Sequence, residues 1–227
     1  MEVNLCCLRK TFSIYFINDH IWNKAVPKWL ALNNIDLNHT IMKKTFFTLA
    51  FMTTVVVAAQ STWKSDGAHS KVGFAITHLM ISEVEGHFSE FDITATATDT
   101  FDDAEFTVDI KTTSIDTDND RRDDHLRSAD FFDAEKYPSI SFKSTSFKKT
   151  GDRTFVLNGD LSMHGVTKPV TLEGKVNGII TDQRSQKLKA GLKLTGTIDR
   201  LEFGVGGDSA SLGDEVEMTI NLEMAQQ

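Results

Sequence analysis

Residues 170–180 read Val-Thr-Leu-Glu-Gly-Lys-Val-Asn-Gly-Ile-Ile. Val170, Leu172, Gly174, Val176, Gly178 and Ile180 are apolar or small, and Thr171, Glu173, Lys175 and Asn177 between them are polar. Successive side chains of a strand point to opposite faces, so this period of two predicts a strand with one buried and one wet face. A helix would need apolar residues three and four apart, which the stretch does not supply.

The pattern continues on both sides. Downstream, Leu188, Ala190, Leu192, Leu194, Gly196 and Ile198 form a second apolar row opposed by Lys187, Lys189, Lys193, Thr195 and Thr197. Val216, Met218, Ile220, Leu222 and Met224 form a third. Upstream, shorter rows run through Val72–Phe74–Ile76, Val84–Gly86–Phe88, Phe91–Ile93–Ala95–Ala97, Phe106–Val108–Ile110, Ile140–Phe142 and Phe155–Leu157–Gly159–Leu161–Met163. Residues 99–103 and 149–152 and the pair His164-Gly165 supply turns. About eight such strands predict an antiparallel sheet that curls and closes, because closure removes the edges that long alternating strands would expose. The expected fold is therefore all-β: an eight-stranded antiparallel barrel, one domain, with one short helix inserted between strands. The small inward residues, Gly86, Gly159, Gly174 and Gly196 among them, allow two readings. They let strands coil and turn corners, or they leave volume for a guest.

One stretch breaks the alternation. Residues 121–142 read RRDDHLRSADFFDAEKYPSISF. Asp118, Asn119 and Asp120 are N-cap candidates, and Asp123 and Asp124 place negative charge in a first turn. Leu126 and Ala129 share a helical face, Phe131 and Phe132 add two rings, and Pro138 returns the chain to an extended conformation. On pattern alone this helix either plugs the end of a β-core, the simpler reading, or closes one end of a ligand cavity.

Residues 42–59 read as a secretory signal peptide: Lys43 and Lys44, then an apolar run over residues 46–57, then Val57 and Ala59 at the small −3 and −1 positions of a cleavage site. The apolar run is too short for a spanning helix. Residues 1–41 are then expected to be an overextended start or leader, with residues 60–227 as the mature domain in the periplasm or outside the cell. Cys6 and Cys7 are the two cysteines of the chain, so the mature part has no disulfide, thiolate nucleophile or lipidated cysteine. A domain of this length can rest on its own core.

Of 24 Lys+Arg and 32 Asp+Glu, six and three precede residue 60, which leaves the mature part a net charge of −11. That balance argues against nucleic acid or an anionic membrane as a partner. His69, His78, His87, His125 and His164 show no metal-ligand spacing, and neither a nucleophile elbow nor a phosphate loop is present. Residues 204–207 (GVGG) read as a loop. The acidic group Asp116, Asp118, Asp120, Asp123 and Asp124 lacks the central glycine and closing glutamate of a calcium loop and reads as a solvated cap. No catalytic residue, resident cofactor or metal site is therefore expected. Arg200 ends an apolar row and, if buried, needs a partner: the acidic helix start or a polar ligand group. A surface ion pair is the plainer alternative.

Taken together, several runs resemble the YceI-like family of polyisoprenoid-binding, lipocalin-like exported proteins. They include DGAHSKVGF (66–74), VEGHF (84–88), SIDT (114–117), RDDHL (122–126), DFFD (130–133), Tyr137-Pro138, NGDL (158–161), HGVTKPV (164–170), RLEFG (200–204) and LGDEV (212–216). The resemblance covers residues 62–225 and rests on the order and spacing of the runs.

The resemblance implies an eight-stranded barrel with a helix over it and an apolar tunnel for a long-chain amphiphile such as an isoprenoid quinone or polyprenyl lipid. The expected function is an exported binding or carrier protein, without catalysis, nucleic acid or stable membrane insertion. A homodimer is left open. The alternatives are a ligand-free stress or interaction barrel and a lipid-modifying enzyme. As wall residues we take Phe74, Ile76, Phe88, Phe106, Val108, Phe131, Phe132, Phe142, Leu161, Leu172, Leu192, Phe203 and Met218. His78, His125 and Arg200 are the candidates for the ligand's polar head. The resemblance also reverses the reading of residues 121–142, with Phe131 and Phe132 now lining a tunnel.

Overall fold

The computed structural model describes residues 59–227. The expectations for residues 1–41, and nearly all of the leader at 42–59, lie outside that range.

The β-segments are β1 (Ser61–Ser65), β2 (Lys71–His78), β3 (Ser82–Phe88), β4 (Phe91–Ala97), β5 (Ala104–Lys111), β6 (Ile115–Asp116), β7 (Ser139–Lys149), β8 (Thr154–Met163), β9 (Val166–Thr181), β10 (Leu188–Asp199) and β11 (Leu212–Gln226). Helix α1 (Asp120–Arg127) lies between β6 and β7. All strand pairings are antiparallel, and the order β1-β4-β5-β7-β8-β9-β10-β11 closes because β11 also pairs with β1. Strand β11 is long enough for two partners. Its residues 224–226 meet β1 and its residues 212–221 meet β2. Segments β2 and β3 thus extend the walls that β1 and β4 begin, and β6 does the same for β5. The segments together make an eight-stranded closed barrel, with the expected single helix.

The alternating rows face the core as predicted over most of their length. Leu172 and Val176 on β9, Leu192 and Leu194 on β10, and Leu222 and Met224 on β11 are all buried. One row does not hold to its end. Between Val176↔Leu192 and Gly178↔Gly191 the β9–β10 register shifts. The extra residue reverses the facing of the residues beyond it, so Ile179 packs against the core and Ile180 is 65% exposed.

One end of the barrel is sealed by two residues that period-two reasoning did not single out. Trp63 of β1 is fully buried and meets Phe101 edge-on at 4.7 Å between ring centres. Its indole N–H donates to the Ala97 carbonyl at 3.4 Å. Phe101 sits in the β4–β5 turn with φ 52°, which swings its ring inward. The register of β11 places α1 and the loop at 200–211 at the opposite end.

Helix α1 is shorter than the sequence suggested. Asn119 is the N-cap, its side-chain oxygen accepting from the Arg122 N–H at 3.0 Å. The helix stops at Arg127, and Ala129 lies beyond it, exposed. Phe131 and Phe132 follow in tight turns, with the Phe132 N–H bonded to the Leu126 carbonyl at 3.0 Å. Asp123 is buried rather than a solvated first-turn charge. It accepts from the Thr117 N–H at 3.0 Å and the Thr117 hydroxyl at 2.6 Å, and so ties α1 to the end of β6.

Candidate ligand-binding site

A cavity of about 560 Å³ opens at the α1 end of the barrel. That size lies in the range of small-molecule sites. Its walls are apolar residues of β2, β3, β8 and β11, and its lid is built by α1, Phe131, Phe132 and the loop at 205–211. A deeper space of about 60 Å³ is lined by apolar residues throughout. Val72, Leu161, Met218 and Ile220 line both, so the two volumes adjoin along the interior.

The expected wall residues fall into three groups. Phe74, Ile76, Phe88, Phe131, Phe132, Leu161 and Met218 line the larger cavity. Phe106, Val108, Phe142 and Leu172 line the smaller one, with Leu161 and Met218 shared. Leu192 and Phe203 line neither; both are 1% exposed and packed in the core. Sequence reasoning missed Val84, Leu126, Met163, Ile198 and Val216, which also line the larger cavity. All but Leu126 sit in the inward rows or at their ends, but alternation alone does not separate a cavity wall from a packed core.

The strand glycines do not supply the open volume by leaving gaps. The ring of Phe74 occupies the place of a Gly86 side chain, with Cζ 2.4 Å from where a Cβ would stand. Phe142 does the same at Gly159, at 2.3 Å. Each ring therefore lies back against the neighbouring strand. The glycines serve packing, and the large rings fit along the wall because of them.

The mouth carries the polar groups. His78 ends β2, and His125 projects from α1 with its ring edge-on to Phe131 at 5.0 Å and Nε2 3.5 Å from the Asp130 carboxylate. Both line the larger cavity.

Arg200 requires a correction. It lines the same cavity and is 3% exposed. Nε donates to the Gly213 carbonyl at 2.8 Å, and Nη1 to those of Val205 and Gly207 at 3.0 Å each. Nη2 donates to the Leu212 carbonyl at 3.4 Å and the Asp214 carboxylate at 3.3 Å. A guanidinium has five N–H donors, and all five are engaged, so none remains for a ligand head. Nor does Arg200 reach the acidic helix start. It organises the 201–213 loop that forms one lip of the mouth.

Arg122 is the cation that sequence reasoning passed over. Nε donates to the Thr117 hydroxyl at 2.7 Å and Nη2 to the Thr117 carbonyl at 2.6 Å. Nη1 has no hydrogen-bond partner among the described residues, and the side chain lines the cavity. A half-held arginine at an apolar mouth is suited to a carbonyl or phosphate oxygen.

With that geometry in hand, the YceI-like domain model matches residues 63–224. The chain belongs to the YceI-like family. Protein YceI of Escherichia coli O6:H1 is 40% identical over 196 residues, covering 84% of this chain and all of the relative. Protein YceI of Salmonella agona is 41% identical over 188 residues, covering 81% and 95%. A crystal structure of YceI from Campylobacter jejuni is 32% identical with a TM-score of 0.62, covering 71% of this chain and 96% of that one. A polyisoprenoid binding domain from Saccharophagus degradans shares the fold at 12% identity and a TM-score of 0.55, covering 73% and 98%.

Two further clusters in this YceI-like barrel bear on metals. The acidic residues around α1 are used locally: Asp116 accepts from the Asp118 N–H at 2.9 Å, Asp123 holds Thr117, and Asp124 pairs with Arg127 at 3.1 Å. Asp66, His69 and Glu223 bring their ligand atoms within 4.8 Å of one another. Lys189 already supplies the cation there, with Nζ 2.7 Å from Glu223. Hydrogen bonding to His69 holds the Asp66 carboxyl below its ordinary pKa, and the same bond raises that of His69.

Proposed function

We propose that this protein is an exported carrier that holds one long-chain isoprenoid, a quinone or polyprenyl lipid, with its chain in the barrel and its polar head at the mouth. The observation that carries the proposal is the pair of adjoining apolar spaces, which leads from a polar mouth into an apolar interior. Burying a chain contributes about 0.8 kcal/mol per methylene, so apolar walls suffice for affinity and the head needs few contacts. Arg122, His78 and His125 stand where that head would sit. The Saccharophagus neighbour supports the ligand class by the binding named for it, though at its identity it shares only the fold. The signal-peptide pattern at 42–59 supports export. Catalysis has less support: among the described residues no serine or threonine hydroxyl is hydrogen-bonded to a histidine ring, one common way of activating such a nucleophile. A filled, ligand-free barrel would have no cavity of this size.

The test is titration of delipidated protein with a long-chain prenyl quinone and with its short-chain counterpart. The carrier reading expects saturable one-to-one binding that tightens with chain length. Binding that ignores chain length, or none, contradicts it.

A further inference from the structure

The hairpin joining β2 to β3 ends in Leu79, Met80 and Ile81, which are 52%, 82% and 86% exposed. Leu79 and Met80 have φ of 53° and 60°, and the Ile81 N–H donates to the His78 carbonyl at 3.2 Å. The three-residue connection between His78 and Ser82 contains a His78–Ile81 turn whose two central residues both take positive φ, a conformation that favours Asn and Gly and penalises side chains such as leucine and methionine. The sequence thus spends backbone strain to hold large apolar side chains in water. Strain of that kind concentrates at functional sites.

The position of the tip gives it meaning. His78, directly before it, lines the cavity, as do Ser211 and Leu212. The Leu79 N–H donates to the Ser211 carbonyl at 2.8 Å, which fixes the tip to the lip of the mouth. The only other large apolar residue comparably exposed among the described residues is Ile180, at the far end of the barrel.

We infer that the Leu79-Met80-Ile81 tip inserts into the interfacial layer of an electrically neutral lipid bilayer and sets the mouth against it. A narrow convex tip of three apolar side chains fits between lipid head groups, whereas a protein partner would have to offer a matching pit. Charge selects the kind of bilayer. Glu83 flanks the hairpin, Asp208, Asp214 and Glu215 lie on the facing lip, and the domain is acidic overall. Arg122 is the cation across the mouth. Anionic lipid is therefore disfavoured, and apolar insertion carries the attraction. The inference rests on the carrier reading, because it supplies the route by which an apolar chain enters without crossing water.

The test compares the wild type with a variant carrying Leu79→Asn, Met80→Gly and Ile81→Thr, which suits the turn and leaves every cavity residue in place. Both are floated with phosphatidylcholine vesicles and with vesicles enriched in phosphatidylglycerol. Both are also titrated with a short-chain prenyl quinone without vesicles. The wild type is expected to float with phosphatidylcholine more than with phosphatidylglycerol. The variant is expected to lose that flotation at least about tenfold while binding quinone as the wild type does. Equal flotation of the two, or a wild type that stays in solution, overturns the inference. Self-association lost in the variant, with no flotation by the wild type, assigns the tip to a second copy and overturns it as well. If neither protein binds a prenyl quinone of short or long chain, the carrier reading fails, and the flotation result still decides whether the tip docks on lipid.

Discussion

Arg200 and Asp214 meet at 3.3 Å, yet the arginine is 3% exposed and the aspartate side chain 49% exposed. The pair is unequal because four of the five guanidinium bonds go to backbone carbonyls. Arg200→Ala leaves those carbonyls without a donor and is expected to cost about 3 kcal/mol in urea unfolding. Asp214→Ala, at a wet site, is expected to cost less than about 1 kcal/mol. Arg200→Lys has three donors for five acceptors and should fall between the wild type and the alanine variant. Equal losses at Arg200 and Asp214 would mean that the ion pair, not the carbonyl cage, holds the lip.

Phe74 lies where a side chain on Gly86 would be, and that contact can be turned against the ligand. Gly86→Val forces the ring off the wall and into the cavity. Overpacking of this kind costs about 1–3 kcal/mol, and quinone affinity is expected to drop by roughly tenfold or more. Adding Phe74→Ala to Gly86→Val reopens the space, so binding should recover in the double variant. A single variant that binds as the wild type does would remove Phe74 from the wall.

Phe131 separates the two roles considered for the segment after α1. Its ring contacts His125 and rests on Gly206, whose φ is 71° and whose added Cβ would stand 2.8 Å from it. Phe131→Asp is expected to keep the barrel folded by circular dichroism, with a loss of about 1–3 kcal/mol, and to abolish measurable quinone binding. Global unfolding would instead make Phe131 a plug of the core.

At the other end, pH acts on the Asp66–His69 pair. The folded pKa of His69 is raised, so its contribution is full at low pH and is lost as pH rises through that value. The folded pKa of Asp66 is lowered, so its contribution is present at neutral pH and lost as pH falls through that value. The pair is therefore strongest between the two midpoints. NMR titration should place the His69 midpoint above that of an ordinary histidine, and Asp66→Asn should return it. An unchanged midpoint in Asp66→Asn would assign the shift elsewhere.

The sequence made the barrel legible because a period of two is a direct image of strand geometry, and long rows on β9, β10 and β11 leave little choice of register. It failed at Ile180, where one extra residue in β9 reverses the facing and no local signal marks it. It also passed over β1, whose single large apolar residue, Trp63, gives no period to read. The site was legible as a set of inward residues but not as a shape. Leu192 has the same patterning as Leu161 and Met218, and only packing separates core from cavity; Phe203 lies outside the rows, in the tight turn Leu201–Phe203. At the mouth, the distinction between Arg200 and Arg122 depends on where each N–H goes, and residue type does not carry that.

The central claim is that the barrel carries an isoprenoid, and the most direct measurement is organic extraction of the protein purified without detergent from its native source, followed by mass spectrometry. The account predicts one long-chain isoprenoid per barrel in the wild type and its loss in Phe131→Asp. Wild-type protein that yields no stoichiometric lipid and takes up no prenyl quinone when it is offered would contradict the account.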